Sequence, residues 1–198
     1  RDVIIVDGGS RDGTLEIAEH AGATIVHAPR GRGIQMNHGV AQAKADWFLF
    51  LHADTVLEPG WEREVAAFVQ RVESGQRDPA AAAFRFALDD LGFRPRLLES
   101  AVAMRCALFR LPYGDQGLLI PRSLYHEVGG FAPRQLMEDI DIVRRLKREQ
   151  MIIMRSQAVT SAIRYRREGY VRRSARNFAC LMMYYCRVPE RYIERMYG

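Results

Sequence analysis

The stretch Trp47-Phe48-Leu49-Phe50-Leu51-His52-Ala53-Asp54-Thr55 sets the reading of the whole chain. Its apolar run, bounded by Asp46 and His52, is too short for an ordinary helix and predicts a strand buried on both faces, as in a parallel sheet. His52 and Asp54 follow at once, where the carboxyl end of a parallel strand meets the crevice that binds ligands in open α/β sheets. Taken alone, the stretch has a plainer account, in which His52 ends the strand and Asp54 caps a helix starting near Pro59. The rest of the chain decides between the two.

Upstream, the β-branched residues 3–6 predict a buried strand, closed by the tight loop Asp7-Gly8-Gly9-Ser10-Arg11-Asp12-Gly13-Thr14. Leu15, Ile17, Ala18 and Ala21 then follow at helical spacing, with Asp12 or Thr14 available as a cap and Gly22 as a stop. A second strand over 23–27 and a helix over 34–45 lead to the strand at Trp47. Strand, helix, strand, helix, strand in this order predicts a parallel α/β sheet with right-handed crossovers. Downstream, Trp61, Val65, Phe68, Val69 and Val72 mark a helix, 81–88 a strand and 95–111 another helix. Gly114-Asp115-Gln116-Gly117 forms a loop into a short strand, and Pro121 opens a brief helix. An amphipathic helix over 136–150 carries Glu138, Asp139 and Asp141 in its first turns, and the apolar 151–154 follows it. From Arg164 onward the chain is dense in arginine and aromatics. No linker or repeat divides it, so a single domain over 1–198 is expected.

With 198 residues, 48% hydrophobic and 27% charged, the composition is that of a globular domain with a sizeable core. A net charge of +5 and a pI near 9.4 favour anionic partners without choosing among them. Cys106, Cys180 and Cys186 include no CxxC pair, which argues against a disulfide framework or zinc site and fits a reducing compartment. No apolar run approaches the roughly 18 residues of a membrane span, and no signal segment opens the chain. The chain begins at Arg1 and runs directly into a strand, so a preceding segment is expected. Arginines and aromatics interleave over 164–187, yet no nucleic-acid-reading motif accompanies them, and nucleic acid is not expected as a partner. Gly31-Arg32-Gly33 is not a dinucleotide fingerprint, since the third glycine of GxGxxG falls on Met36.

What remains is a set of acidic or polar clusters at successive strand ends: Asp7, then His52 and Asp54, then Asp115, with Glu138 and Asp139 on a later helix. Each alone has a structural explanation as a cap or turn residue. Together, with Arg30 and Arg32 close in chain order, they suit a divalent cation and a diphosphate.

The strings Val6-Asp7-Gly8-Gly9-Ser10-Arg11-Asp12-Gly13-Thr14, Leu51-His52-Ala53-Asp54 and Glu138-Asp139 resemble, in order, the motifs of family 2 glycosyltransferases. Gln35-Met36-Asn37, Gly114-Asp115-Gln116-Gly117, Gly129-Gly130-Phe131 and Leu136-Met137-Glu138-Asp139 further resemble a compact bacterial branch of that family. The resemblance implies a GT-A fold with a mostly parallel central sheet flanked by helices. Residues 1–90 form its nucleotide-binding half, 91–160 its acceptor and catalytic half, and 161–198 a C-terminal helical segment.

By the same resemblance, Asp7 matches the aspartate that hydrogen-bonds the base, usually uracil. Gly9, Ala53 and the segment with Arg30, Arg32, Gln35 and Asn37 lie beside the donor. Asp54 matches the last aspartate of the DxD-like motif that holds Mn²⁺ or Mg²⁺, and His52 stands at its first position. Asp139 matches the catalytic base, with Glu138 beside it, and Asp115 and Gln116 are expected to position sugar or acceptor. The expected reaction is metal-assisted inverting transfer from a UDP-sugar to an acceptor hydroxyl, lipid-linked in one reading. By the same resemblance, the first strand of the fold is expected to lie before Arg1. The QxxRW motif of processive enzymes has only an echo in Ser174-Ala175-Arg176-Asn177-Phe178, so polymerisation is not expected. The expected location is cytoplasmic, with the basic and aromatic C-terminal segment against the inner membrane face. Two alternatives stay open, a weakened nucleotide-sugar binding module and a nucleotidyltransferase.

Overall fold

The computed structural model describes residues 2–197. Strand β1 (Ile4–Asp7) and strand β2 (Thr24–His27) pair in parallel through helix α1 (Thr14–His20), as their β-branched runs and glycine-bounded helix predict. Helix α2 (Arg32–Gln42) lies close on β1, where a Cβ at Gly39 would stand 3.0 Å from Val6 Cγ2. These strands form a separate two-stranded sheet.

The run at Trp47 is strand β3 (Trp47–Phe50). It is followed by β4 (Thr55–Leu57), α3 (Trp61–Glu73), β5 (Ala81–Leu88) and α4 (Phe93–Phe109). Then come β6 (Leu118–Pro121), α5 (Arg122–Glu127), α6 (Glu138–Arg145) and β7 (Met151–Thr160). The chain closes with α7 (Ile163–Glu168), α8 (Tyr170–Tyr185) and α9 (Glu190–Tyr197). The five-stranded sheet has the order β3-β6-β5-β7-β4. Only β5 and β7 run parallel in it, while β3, β4 and β6 pair antiparallel with their neighbours. The expected mostly parallel central sheet is therefore corrected to a mixed one. A short apolar run specifies burial but not direction, and the partner of β3 arrives only at β6.

Alternation along the strands builds a core on each face of this sheet. Phe48, Ala81, Ala83, Leu118, Ile120 and Met151 point to one face, against Leu124, Tyr125, Phe131, Ile142 and Val143. Ala80, Ala82, Phe84 and Leu119 point to the other, against Phe68, Met154 and the partly buried Trp61 and Val65. Fully buried side chains such as Phe84 and Ile120 each contribute about 1.5–3 kcal/mol. A third cluster, Phe86, Leu88, Val102, Cys106 and Ala162, seats α4.

Two elements depart from their expected lengths. Helix α6 begins after Met137, which is left-handed at φ 64°, and ends at Leu146, where the backbone turns extended at ψ 142°. Strand β7 runs beyond the apolar 151–154 through Arg155, Ser156 and Gln157. The Glu64 carboxylate accepts the Arg155 and Ser156 N–H groups at 2.8 Å each, where the register with β5 shifts.

Candidate active site

A cleft of about 740 Å³ opens beyond the carboxyl end of β3. Arg32, His52, Asp54, Asp115 and Asp139 line its polar end, with Arg164 from the start of α7. Elements far apart in sequence thus bring a histidine, three carboxylates and two guanidinium groups to one space. The plainer account of Asp54 as a helix cap fails. α3 starts only at Trp61, and Asp54 leads directly into β4, its carbonyl accepting the Ser161 N–H at 3.0 Å.

The loop between α4 and β6 threads between His52 and α6. A Cβ on Gly114 would stand 2.6 Å from His52 Nε2 and 3.0 Å from Asp139 Oδ2, so glycine allows this passage. It also lets the Gly114 N–H donate to Asp139 Oδ2 at 2.5 Å. Asp139 Oδ1 accepts the Ile140 N–H at 2.8 Å, which fixes the carboxylate on the first turn of α6. Arg32 owes its position to the glycines beside it. A Cβ on Gly33 would fall 2.0 Å from the Ala132 carbonyl oxygen, a contact that only glycine permits. Across the cleft, the Arg32 guanidinium lies 5.6 Å from the centre of the Tyr197 ring on α9.

Charge and burial separate the roles of these groups. Burial, then the Arg32 charge, holds the His52 imidazole below its ordinary value despite Asp139 and Asp54, so the ring is neutral at pH 7. Burial, reinforced by Asp139 and Asp54 and opposed by Arg105, pushes Asp115 up to about 6. Its Oδ1 is sealed from solvent without a hydrogen-bond partner. Glu138 does not face the cleft. It turns into a small inner cavity beside Phe50, Phe131 and Val143. There burial and neighbouring Asp139, opposed by Arg32, push it up to about 8, so it is protonated at pH 7.

Because Glu138 binds its proton more tightly folded than unfolded, its contribution to stability is full below its ordinary 4.5 and is lost as pH rises through about 8. Glu138→Gln, neutral throughout, is expected to flatten that loss. Urea midpoints at pH 5 and pH 8.5 should show the unmodified protein losing a few kcal/mol more than the variant, to order of magnitude.

Several other residues expected at the site are not among those that line this cleft. Asp7, Gly9, Arg30, Gln35, Asn37 and Ala53 do not line the cleft. Asp7 accepts the Gly9 and Ser10 N–H groups at 2.9 and 3.0 Å, and the Ser10 bonds, foremost among its contacts, hold it below the usual carboxylate value. Gln35 Nε2 donates to the Val6 carbonyl at 2.8 Å, and the exposed Arg30 gives its carbonyl to Gln135. Asn37 accepts the Tyr125 hydroxyl at 2.6 Å and donates to the Phe131 carbonyl at 2.9 Å. Gln116 is buried and braces its loop, donating to the Phe84 carbonyl while its Oε1 accepts from Arg105 and the Tyr113 N–H. Conversely, sequence reasoning missed Tyr113, Arg144, Arg164, Tyr165 and Tyr197, all of which line the cleft. The available signals were the position of Tyr113 just before Gly114-Asp115 and the start of the arginine-rich segment at Arg164.

Among the described residues, no three His, Cys, Asp or Glu side chains group to hold a metal ion. A cation bound through one or two protein groups plus substrate phosphates needs no such cage. The donor chemistry at the polar end fits that mode, with the Asp54 carboxylate and the neutral His52 imidazole suiting a transition ion such as Mn²⁺.

The sequence profile described as "Glycosyl transferase family 2" matches residues 1–140. A PGL/p-HBAD biosynthesis glycosyltransferase of Mycobacterium bovis is 33% identical over 130 residues, 54% of this chain and 49% of the relative. The chain thus spans about half the length of the curated relatives it matches. Among solved structures, mannosyltransferase PcManGT from Pyrobaculum calidifontis, in complex with GDP-Man and Mn²⁺, superposes with a TM-score of 0.59 at 15% identity, covering 90% of this chain and 51% of that one. Glucosyl-3-phosphoglycerate synthase from Mycobacterium tuberculosis, in complex with Mn²⁺, UDP and glucosyl-3-phosphoglycerate, gives 0.50 at 18% identity, covering 81% and 59%. At these identities the structures establish the shared GT-A fold. With most of its length matched by the family profile and its backbone in that fold, this chain belongs to glycosyl transferase family 2.

Proposed function

We propose that this protein transfers a sugar from a nucleotide-diphosphate sugar, UDP-linked in the first instance, to an acceptor hydroxyl, one sugar at a time and with inversion. The observation that carries this reading is the convergence of Asp54, His52, Asp115, Asp139, Arg32 and Arg164 on one cleft of a family 2 chain. The two superposed structures hold nucleotide diphosphates or a nucleotide sugar with Mn²⁺, which supports the donor class.

In this reading Asp54 and His52 would hold Mn²⁺, or less well Mg²⁺, and the cation when bound supplies charge neutralisation to the leaving diphosphate. Arg32 and Arg164 face the same anionic group. Asp139 accepts the proton of the incoming hydroxyl, its carboxylate aimed by the Gly114 N–H. Attack from the side opposite the diphosphate gives a single displacement. Neutral Glu138 leaves the base role to Asp139. Asp115 lines the same cleft, on the side where a sugar or acceptor hydroxyl would sit. Residues 1–90 serve the donor, 91–160 the acceptor, and the C-terminal helices wall the cleft. Tyr165, Phe178, Tyr185 and Tyr197 of that segment line it. No helix among the described residues is long and apolar enough to cross a membrane.

The test is a thermal-shift and turnover screen of UDP- and GDP-sugars with Mn²⁺. Stabilisation with donor turnover supports the transferase, stabilisation without turnover returns the binding-module reading, and no stabilisation by any nucleotide sugar removes both.

A further inference from the structure

Away from its acidic end, the cleft changes character. α4 contributes Leu98, Val102 and Phe109 to its wall, and α8 contributes Phe178, Leu181 and Met182 at helical spacing i, i+3, i+4. Apolar side chains of this size are normally covered, yet Phe109 is 69% exposed, Phe178 61% and Met182 40%. The charged neighbours in this part are already engaged. Arg105 donates to the Leu111 carbonyl at 3.1 Å and to Gln116 Oε1 at 3.2 Å, with its guanidinium 3.4 Å from the centre of the Tyr113 ring. Arg173 is paired with Glu168 at 3.3 Å and stacked on Tyr197. An uncovered apolar wall is thus continuous with the space in front of Asp139.

We propose that the acceptor is an amphiphile whose hydroxyl-bearing head reaches Asp139 while an alkyl or aryl chain lies along α4 and α8. The inference rests on the transferase reading and names the acceptor class of that site. An acceptor built only of sugars would leave this wall wet, whereas a chain of several methylenes covers it.

Titration calorimetry with butyl, hexyl and octyl β-glucosides below micelle-forming concentrations, on protein saturated with UDP and Mn²⁺, tests the proposal. The dissociation constant is expected to fall about fourfold per added methylene, the equivalent of ~0.8 kcal/mol for each buried CH₂. Phe178→Ser and Met182→Ser replace exposed side chains that the fold does not need, and each should flatten that slope while UDP affinity stays unchanged. Affinity independent of chain length, or a slope retained in both variants, overturns the proposal. Absence of UDP binding beside an intact chain-length slope would overturn the donor reading and leave the apolar slot standing. Flotation with phosphatidylglycerol vesicles separates the two sources of such a chain. Binding that requires Phe178 and Met182 assigns a bilayer lipid, and calorimetric binding without flotation assigns a soluble amphiphile.

Discussion

Asp139→Asn is expected to lower sugar transfer by about two to four orders of magnitude, the usual worth of a positioned general base, while leaving nucleotide and metal binding intact. The amide keeps the size of the carboxylate, and its carbonyl oxygen can still accept the Gly114 N–H and hold the loop between His52 and α6, with loss of the bond from the Ile140 N–H. It cannot take up the acceptor's proton. Asp141, two positions on, is the matched control. It pairs with Arg145 at 2.9 Å, lies 4.0 Å from Arg134 Nε and accepts the Tyr184 hydroxyl at 3.3 Å. Asp141→Asn should therefore cost about 0.3–0.5 kcal/mol of stability, as a partly exposed i,i+4 pair does, with transfer unchanged. Transfer rate and donor affinity measured on both variants distinguish a proton acceptor from a helix-start carboxylate. Equal, small losses would move the base elsewhere, with Asp115 as the remaining carboxylate that faces the cleft near Asp139.

Asp54→Ala is expected to erase the Mn²⁺ dependence of UDP binding. A ligand at 100 times its dissociation constant stabilises the native state by about 2.7 kcal/mol. In the unmodified protein that gain should appear with Mn²⁺ and largely vanish with chelator. In the variant it should be small under both conditions. The Asp54 backbone carbonyl, which holds Ser161, survives the substitution, and the side chain is exposed, so melting without ligand should be close to normal. Thermal shifts with UDP, in Mn²⁺ and in chelator, measure the difference. Equal stabilisation of both proteins in chelator would remove Asp54 from metal binding.

How far the sequence reaches can be judged from particular residues. The run at Trp47, the glycine-closed loop after β1 and the alternating residues of β5 were legible because burial and turn chemistry are local properties. Strand direction was not legible, because the choice between parallel and antiparallel pairing depends on which distant segment arrives beside β3. β4 is three residues long and owes its existence to β7, with the Thr55 and Thr160 hydroxyls 2.9 Å apart. No period-two signal can announce a strand of that length.

At the site, the carboxylates that reach the cleft were readable from motif order, but their protonation was not. Glu138 and Asp139 are adjacent in sequence, yet one turns into the core and the other toward the cleft. Asn37 and Gln116 carry the chemistry of ligand-binding amides and spend it on backbone carbonyls and a tyrosine hydroxyl, which only tertiary contacts reveal.

The wall of the cleft built by α7, α8 and α9 has a consequence for how such a protein diversifies. Asp54, Asp115 and Asp139 all fall within the stretch shared with the family profile, residues 1–140, whereas Arg164, Phe178, Met182 and Tyr197 fall outside it. On the proposed reading, the carboxylates that serve the chemistry and the α8 side of the acceptor wall therefore lie in different stretches of the sequence, while the α4 side of that wall shares the first stretch. Substitutions at Phe178, Leu181 or Met182 would reshape that side of the wall while leaving Asp54, Asp115 and Asp139 in place.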